Sequence, residues 1–230
     1  MTAAGIEVTA APIAVVSPHC DDAVFSCGRL LAAHPGAAVV TVLVGGPPPS
    51  AEITEWDRAS GFDPGDDVVA SRRDEDRRAL ALLGARPVWL AFHDGQYGRS
   101  PGADDVAGVL DTALDLTAAT AIFVPLGLFH RDHRLTHEAA LAVRARKPRW
   151  TWFLYADAIY RRVPGLVGER LDRLAADGLQ ATPVDLGGGD GERKRRAVRC
   201  YRSQLRALTT PGRPGYDDVF AAEAYWRIAA

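Results

Sequence analysis

The chain has 230 residues, of which 47% are hydrophobic and 24% are charged, and its formal net charge is −2. This length and composition predict one folded domain with a buried core and exclude a largely disordered chain. The slightly negative charge excludes the strongly basic surface typical of nucleic-acid-binding proteins, so we expect a small molecule as the partner.

The first predicted strand covers residues 12–17 and ends at a polar cluster. Residues 17–22 read Ser-Pro-His-Cys-Asp-Asp, and a helix is predicted to follow over about 22–33. Acidic residues are favoured at the N-terminus of a helix, so capping by Asp21 or Asp22 is one explanation. Taken alone, this cluster is explained as well by capping as by a functional site.

The next two predicted strands, 38–44 and 87–92, flank a helix predicted over about 70–84. Between the second strand and this helix, residues 45–69 form a connection much longer than the usual ~2–6 residues. Three consecutive prolines and Trp56 lie in this connection. We interpret it as a lid or specificity loop; the alternative is a disordered surface insertion.

A helix over about 104–118 leads to the fourth predicted strand, 120–125, and a second polar cluster follows. Residues 130–133 read His-Arg-Asp-His, and the next helix is predicted to begin at or near His133. Three titratable side chains within four residues at the end of a strand indicate a functional site. His137 lies one helical turn beyond His133, where a supporting or solvent-facing role is favoured over metal binding.

A helix over about 133–146 leads to the fifth predicted strand, 150–156. In the C-terminal part, a strand over 180–186, a glycine break at 187–189 and a basic amphipathic helix over about 192–208 are predicted. The strands are short and apolar throughout, which is typical of strands buried on both faces.

The alternation of strands and helices predicts an α/β fold. We expect a Rossmann-like, mostly parallel sheet of order 3-2-1-4-5 with helices on both faces. Residues 1–230 are interpreted as a single domain, with a core over about 10–157 and a small C-terminal α/β extension over about 158–230. In this order, strands one and four are neighbours at the point where the strand order reverses, so both clusters would meet beyond their carboxyl ends.

The meeting of the two clusters would bring His, Asp and His side chains together as a three-ligand metal site. Asp21 and His130 would remain for proton transfer, which completes the inventory of a metal-dependent hydrolase. No G-x-G-x-x-G pattern of a dinucleotide site follows the first predicted strand, and the Walker-type pattern of a nucleotide-phosphate site does not occur in the sequence.

The two clusters resemble the motifs of the LmbE-like zinc deacetylases, which include the PIG-L enzymes and the thiol-glycoside deacetylases. Residues 18–23 resemble the family's A-H-P-D-D-E motif, and residues 130–133 match its H-x-D-H motif in full. Weaker matches at 72–75, 93–95 and 194–204 follow the family's order, so the resemblance extends over nearly the whole chain.

The resemblance implies a role for each matching position. By position, the zinc ligands are His19, Asp22 and His133, and the general base is Asp21. His130 stabilises or protonates the tetrahedral intermediate, and Asp132 orients His130. Arg72 and Asp94 contact substrate hydroxyls. Cys20 and Ala23 replace the usual Pro and Glu of the first motif, neither of which binds zinc in the family. Residues 45–47, Gly-Gly-Pro, stand where the family often has Gly-Glu, so the resemblance implies intact hydrolysis with altered sugar contacts.

We therefore expect zinc-dependent hydrolysis of an N-acetyl or short N-acyl amide on an amino sugar, its conjugate or a related small molecule. The products are a free amine and a carboxylate. The alternatives are an amidase of a thiol conjugate or natural-product intermediate, and a catalytically inactive metal- or ligand-binding relative. Asp21 and His130 argue against the inactive alternative, because neither is needed only to hold zinc.

The sequence also predicts the compartment. No apolar stretch reaches the ~18 residues of a membrane span, and the N-terminus lacks the positive start of a secretion signal. The three cysteines form no C-x-x-C pair, which predicts a reducing cytoplasm. A homo-oligomer is compatible with the sequence.

Overall fold

The computed structural model describes residues 12–46 and 52–229. Within these residues, seven strands form one sheet in the order β3-β2-β1-β4-β5-β7-β6. The strands are β1 Ile13–Ser17, β2 Ala38–Thr41, β3 Arg86–Trp89, β4 Ala121–Pro125, β5 Thr151–Tyr155, β6 Ala181–Val184 and β7 Tyr225–Ile228. The helices are α1 Asp22–Ala33, α2 Glu55–Ser60, α3 Val68–Leu83, α4 Ala103–Thr117, α5 Arg131–Arg146, α6 Leu166–Ala176, α7 Gly191–Val198 and α8 Arg202–Leu208.

The first five strands form the predicted parallel sheet, and the predicted order 3-2-1-4-5 is confirmed. β1 and β4 pair directly, with Val15 opposite Phe123. Every residue of these two strands is buried, as expected for parallel strands that are covered on both faces. Their carboxyl ends therefore lie side by side.

Helices cover both faces of the sheet, as predicted. Helices α1, α3 and α7 pack on the face that receives Val15 and Phe123, and α4 and α5 pack on the face that receives Val16 and Ile122. Adjacent residues of a strand point to opposite faces, so each apolar strand contributes to both cores.

The C-terminal extension enlarges this sheet. β7 pairs antiparallel with β5, and β6 pairs antiparallel with β7; of these two added strands, the sequence pattern predicts only the one near 180–186. The single helix predicted over 192–208 is wrong, because α7 ends before Tyr201 and α8 begins after it. Tyr201 has non-helical backbone angles, and its buried hydroxyl donates to Asp76 Oδ1 over 2.8 Å, so a buried contact of this side chain accompanies the break.

The structure also moves one helix start and adds one helix. α5 begins at Arg131, two residues earlier than predicted, because His130 caps it. The long connection 45–69 contains α2, whose N-terminus is capped by Thr54; its three prolines lie outside the described residues. Of the helices described, none has the length and apolar character needed to cross a lipid bilayer.

Candidate active site

Both polar clusters lie at the carboxyl ends of β1 and β4. The first forms the turn between β1 and α1, where the main-chain N–H of His19 donates to Asp22 Oδ2 over 2.9 Å. Asp21 is the N-cap residue of α1, but its side chain makes no capping hydrogen bond; Ser17 Oγ accepts from the Ala23 N–H instead. Capping therefore does not account for Asp21, whose carboxylate lines a cavity.

The second cluster is positioned by the start of α5. His130 is the N-cap residue, and its Nδ1 accepts from the Asp132 N–H over 3.3 Å. Because Nδ1 is an acceptor, a neutral His130 ring carries its proton on Nε2. His130 can therefore donate a hydrogen bond into the cavity that it lines.

The side chains of His19, Asp22 and His133 converge, and their candidate ligand atoms all lie within 4.8 Å of one another. Asp22 Oδ2 lies 3.0 Å from His19 Nδ1 and 3.3 Å from His133 Nε2. Two imidazoles and a carboxylate suit a divalent metal such as zinc. A second group of similar size, His19, His130 and Asp132, shares His19. The first group is the better candidate, because its carboxylate oxygen lies within 3.3 Å of a nitrogen of both histidines, whereas Asp132 Oδ2 lies 3.9 Å from His130 Nδ1.

Asp157, which is not among the site residues predicted from the sequence, fixes the orientation of His133. Its Oδ1 lies 2.6 Å from His133 Nδ1, and its Oδ2 accepts from the N–H groups of Gly127 and Leu128. The Nε2 of His133 is thereby left to face Asp22. Asp157 lies just after β5 at the same edge of the sheet, so the strand order was a signal that could have identified it.

Asp132 lies closer to His19 than to His130, whereas the resemblance implied that it orients His130. Its Oδ2 is 3.2 Å from His19 Nε2 and 3.9 Å from His130 Nδ1. The Gly95 N–H donates to the same oxygen over 3.1 Å, and a Cβ at Gly95 would approach Asp132 Oδ1 to 2.7 Å. The Asp132 carboxylate is thus held between His19 and Gly95, and its contact with His130 is made through the main chain.

The charged groups of the site shift one another's pKa values. Burial opposes charge on His133, but Asp22 and the hydrogen bond to Asp157 raise its pKa to about 9. Burial alone would raise the pKa of Asp22, but the charge and hydrogen bonds of His133 and His19 hold it far below its usual range. Burial and the adjacent Asp22 raise the pKa of Asp21. A site that stabilises cationic imidazoles also suits a metal ion, and a carboxylate with a raised pKa suits proton transfer.

The site opens into a cavity of about 790 Å³, which is also lined by Arg72 and Asp94. Arg72 Nη2 donates to the buried Asp57 Oδ1 over 2.8 Å. Asp94 accepts from the main-chain and side-chain N–H groups of Gln96. Trp56 of α2 lines the cavity as well, so the part of the long connection that the structure describes contributes to the site as a docked helix.

The sequence model of a known enzyme family matches this chain over both clusters. The model, that of PIG-L or GlcNAc-PI de-N-acetylase, matches residues 14–144, which is more than half of the chain. The chain belongs to the PIG-L family. It is accordingly a hydrolytic N-deacetylase, and both polar clusters with the strands that carry them lie inside the matched range.

Solved structures of deacetylases share the fold of this PIG-L family chain. The A40926 pseudoaglycone deacetylase Dbv21 is 25% identical, with a TM-score of 0.77 over 96% of this chain and 98% of that one. The zinc-inhibited form of teicoplanin deacetylase Orf2 is 22% identical, with a TM-score of 0.77 over 95% and 98%. N,N'-diacetylchitobiose deacetylase from Pyrococcus horikoshii is 22% identical, with a TM-score of 0.50 over 84% and 70%. No curated protein sequence matches the chain.

His137 does not join the metal cluster of this PIG-L family member. Among the described residues it belongs to neither candidate metal group. It is 1% exposed, and its Nδ1 lies 2.8 Å from the carbonyl oxygen of Pro125 at the end of β4. The solvent-facing alternative is therefore wrong, because His137 is a buried residue whose ring is held at the end of β4.

Proposed function

We propose that this enzyme is a zinc-dependent deacetylase that removes the acetyl group from an amino sugar carried on a larger molecule. The convergence of His19, Asp22 and His133 beside Asp21 and His130 in one cavity carries the proposal. The relatives support the substrate class, since they include a pseudoaglycone deacetylase and an N,N'-diacetylchitobiose deacetylase.

The residues present fit a zinc ion. His133 is held by Asp157 with its Nε2 facing Asp22, which is the arrangement that a metal-binding histidine usually has. The raised pKa values of His19 and His133 reflect the nearby carboxylates, and a divalent cation would replace the bound protons. When bound, zinc supplies a Lewis acid that polarises the amide carbonyl and lowers the pKa of water.

Asp21 is the residue best suited to take the proton of the attacking water. Its carboxylate lines the cavity and is not used for capping. Its pKa is raised by burial and by the charge of Asp22, which brings it closer to neutral pH, where a general base is most effective.

His130 is suited to the opposite task, donating a hydrogen bond to the oxygen that gains charge. Burial and the charges of His19 and His133 lower the pKa of His130, so its ring is neutral at neutral pH and serves as a hydrogen-bond donor to that oxygen. As the amide C–N bond breaks, the leaving amine takes the proton that Asp21 received from the water, and the products are acetate and the free amino sugar.

The cavity supports a substrate larger than a free sugar. Its lining includes aromatic and aliphatic residues such as Trp56, Phe129 and Val163, which suit an apolar portion of a ligand. The N–H of Gly45 donates to the Phe92 carbonyl, in the segment that follows β3, over 2.7 Å, and a Cβ at Gly45 would collide with the Ala91 carbonyl. We therefore expect conjugates of N-acetylglucosamine to be better substrates than the free sugar.

Metal binding tests the ligand assignment. Chelator-stripped protein titrated with zinc is expected to bind about one equivalent. The activity assay should cover zinc below and above this ratio, because the relative Orf2 has a zinc-inhibited form. His133→Ala should lose most of the metal, whereas the matched control His137→Gln should keep it. Full zinc in His133→Ala together with loss in His137→Gln would contradict the assignment.

Turnover tests the chemistry separately from metal binding. Asp21→Asn should keep its zinc and its fold but lose deacetylation of phenyl N-acetylglucosaminide by ~10²–10⁴-fold, because an amide cannot accept the proton. Near-native turnover would assign the base elsewhere, with Asp132 as the next candidate. Zinc binding by the native protein without turnover of any N-acetylated sugar would favour the ligand-binding alternative.

We also propose that the enzyme acts in the cytoplasm. Its three cysteines are free thiols, which is the state that a reducing compartment maintains.

A further inference from the structure

Two aromatic rings stack on one side of the cavity, next to the proposed catalytic residues. The ring centroids of Phe129 and Tyr160 are 5.4 Å apart, with planes inclined by 24°. Tyr160 also meets the ring of His133 edge-on at 5.1 Å. Phe129 is 62% exposed, so this wall presents an aromatic surface to solvent beside the site.

The backbone at and beside this pair of rings adopts a conformation that is normally disfavoured. Phe129 has φ +51° and Ile159, the neighbour of Tyr160, has φ +74°. Positive φ is disfavoured for bulky residues and is an outlier for a β-branched one. Of the described non-glycine residues, Ala118 is the one other with positive φ. Backbone strain of this kind is found preferentially at functional sites.

Asp218 stabilises the strained segment around Tyr160 through hydrogen bonds to Ile159 and Arg161. Its Oδ2 accepts from the Ile159 N–H over 2.7 Å and from Arg161 Nε over 2.9 Å. Arg161 Nη2 also donates to the Asp218 carbonyl over 2.6 Å. The chain on either side of Tyr160 is thus fixed by hydrogen bonds that involve neither zinc ligands nor the proposed base, and Tyr160 is left facing the cavity.

We propose that Phe129 and Tyr160 form an aromatic platform that binds an aryl group of the substrate beside the scissile amide. This inference rests on the proposed deacetylase function and specifies the substrate class. Phe129 directly precedes His130, and the ring centroid of Tyr160 lies 6.4 Å from that of His130, so a group lying on the platform is close to the residue proposed to stabilise the oxyanion. Arg72 and Asp94, the residues matched to sugar contacts, belong to other elements of the cavity lining. The platform therefore receives a part of the substrate other than the sugar, and the flat face of Phe129 suits a flat ring.

The test compares two substrates of nearly equal size, the phenyl and cyclohexyl β-glycosides of N-acetylglucosamine. In the zinc-loaded native enzyme, kcat/KM for the phenyl glycoside should exceed that for the cyclohexyl glycoside by about 2- to 10-fold, the effect of one aromatic stacking contact. Phe129→Leu keeps an apolar side chain without a ring and should abolish the preference. Leu116→Ala is the control, since Leu116 is 82% exposed on α4 and does not line the cavity; it should keep the preference.

Phe129→Gly separates binding from folding. Glycine adopts positive φ without steric cost, so this variant should keep the native melting temperature within a few degrees while losing the preference for the phenyl glycoside. An equal preference in the native enzyme, Phe129→Leu and Phe129→Gly would overturn the platform. A preference for the cyclohexyl glycoside in the native enzyme would overturn it as well.

Calorimetric measurement of the affinity of the same proteins for both glycosides tests the platform independently of turnover, and so separates this inference from the proposed function. Binding that favours the phenyl glycoside and requires Phe129, without turnover of either compound, would refute deacetylation of sugars while supporting the platform. Turnover of both glycosides without any preference in rate or affinity would refute the platform alone. The absence of both turnover and binding preference would refute both.

Discussion

Two histidines one helical turn apart on α5 have opposite electrostatic environments. His133 lies against Asp22 and Asp157, which raise its pKa to about 9 in spite of burial. His137 is buried and has no carboxylate partner within the part of the chain that the structure describes, and burial together with the charge of Arg170 lowers its pKa to about 4. Helical spacing places both on one face and cannot distinguish them, because the difference comes from residues distant in sequence.

The lowered pKa of His137 predicts an acid-sensitive contribution to stability. An unfolded histidine titrates near 6.5, so the unfolded state takes up a proton before the folded state as the pH falls. The contribution is complete above pH 6.5 and is lost as the pH falls towards 4, by about 3 kcal/mol in total. In His137→Gln this titration is removed.

The measurement is the free energy of unfolding in urea between pH 7 and 4 for both proteins. The native protein should lose about 3 kcal/mol relative to His137→Gln over this interval, because other titrating groups cancel in the difference. A difference that does not change with pH would show that His137 is protonated equally in the folded and unfolded states.

At the scale of elements, the short helix α2 joins the long connection to the active site. Thr54 caps it, and Gly61 ends it with φ +93°. Asp57, on α2, is 1% exposed and accepts from Arg72 Nη2 over 2.8 Å and from Tyr97 Oη over 3.2 Å. Asp57 is therefore a positioning residue for Arg72. A six-residue helix has too few turns to produce a periodic pattern, which is why the sequence did not reveal it.

Asp57→Asn should weaken substrate binding more than catalysis. The variant leaves the Arg72 guanidinium without its carboxylate partner, so the side chain loses its fixed position. We expect KM for phenyl N-acetylglucosaminide to rise about tenfold, while kcat changes much less, because the group stabilises bound substrate and transition state alike. Asp63→Asn, which changes an exposed carboxylate of the same connection, is the control. A fall in kcat at constant KM would place Asp57 in the chemistry instead.

At the scale of the whole molecule, a buried ion pair joins the C-terminal segment to α1. Lys194 Nζ donates to Glu223 Oε1 over 2.7 Å and to the Phe25 carbonyl over 2.8 Å. The two charged side chains are 2% and 5% exposed. Glu223 also accepts from the Arg29 N–H over 2.8 Å. The pair therefore links α7, the segment before β7 and the helix that follows the first polar cluster.

Breaking this pair from one side should be more harmful than removing it. Glu223→Gln leaves the Lys194 ammonium buried without a counter-charge, and we expect it to lower the free energy of unfolding by about 3–5 kcal/mol. The double variant Lys194→Met with Glu223→Gln should recover part of this loss, because no buried charge remains unpaired. Urea denaturation of the three proteins measures both effects. An equal loss of unfolding free energy in Glu223→Gln and in the double variant would mean that the unpaired charge of Lys194 does not itself destabilise the protein.

The sequence by itself determined the sheet and the approximate location of the site. Apolar strands that alternate with helices allow few topologies, and in the order 3-2-1-4-5 the first and fourth strands must be neighbours. His19, Asp22 and His133 could therefore be placed together from their positions after those strands. The same reasoning could not supply β7 or the break at Tyr201, since antiparallel pairing and a buried hydroxyl partner leave no local pattern.

Only the tertiary structure decided how the site residues are held. Asp157 orients His133, and Asp57 fixes Arg72. The Asp132 carboxylate lies closer to His19 than to His130, although the motif implied that it orients His130. The two residues of each contact are far apart in the sequence, so no helical or strand periodicity indicates that they meet. Each contact depends on the side-chain geometry of the folded chain. Local sequence encodes where a strand ends because burial and turn preferences act over a few residues. Hydrogen bonds between distant residues form only after packing has brought the elements together, so they are properties of the fold.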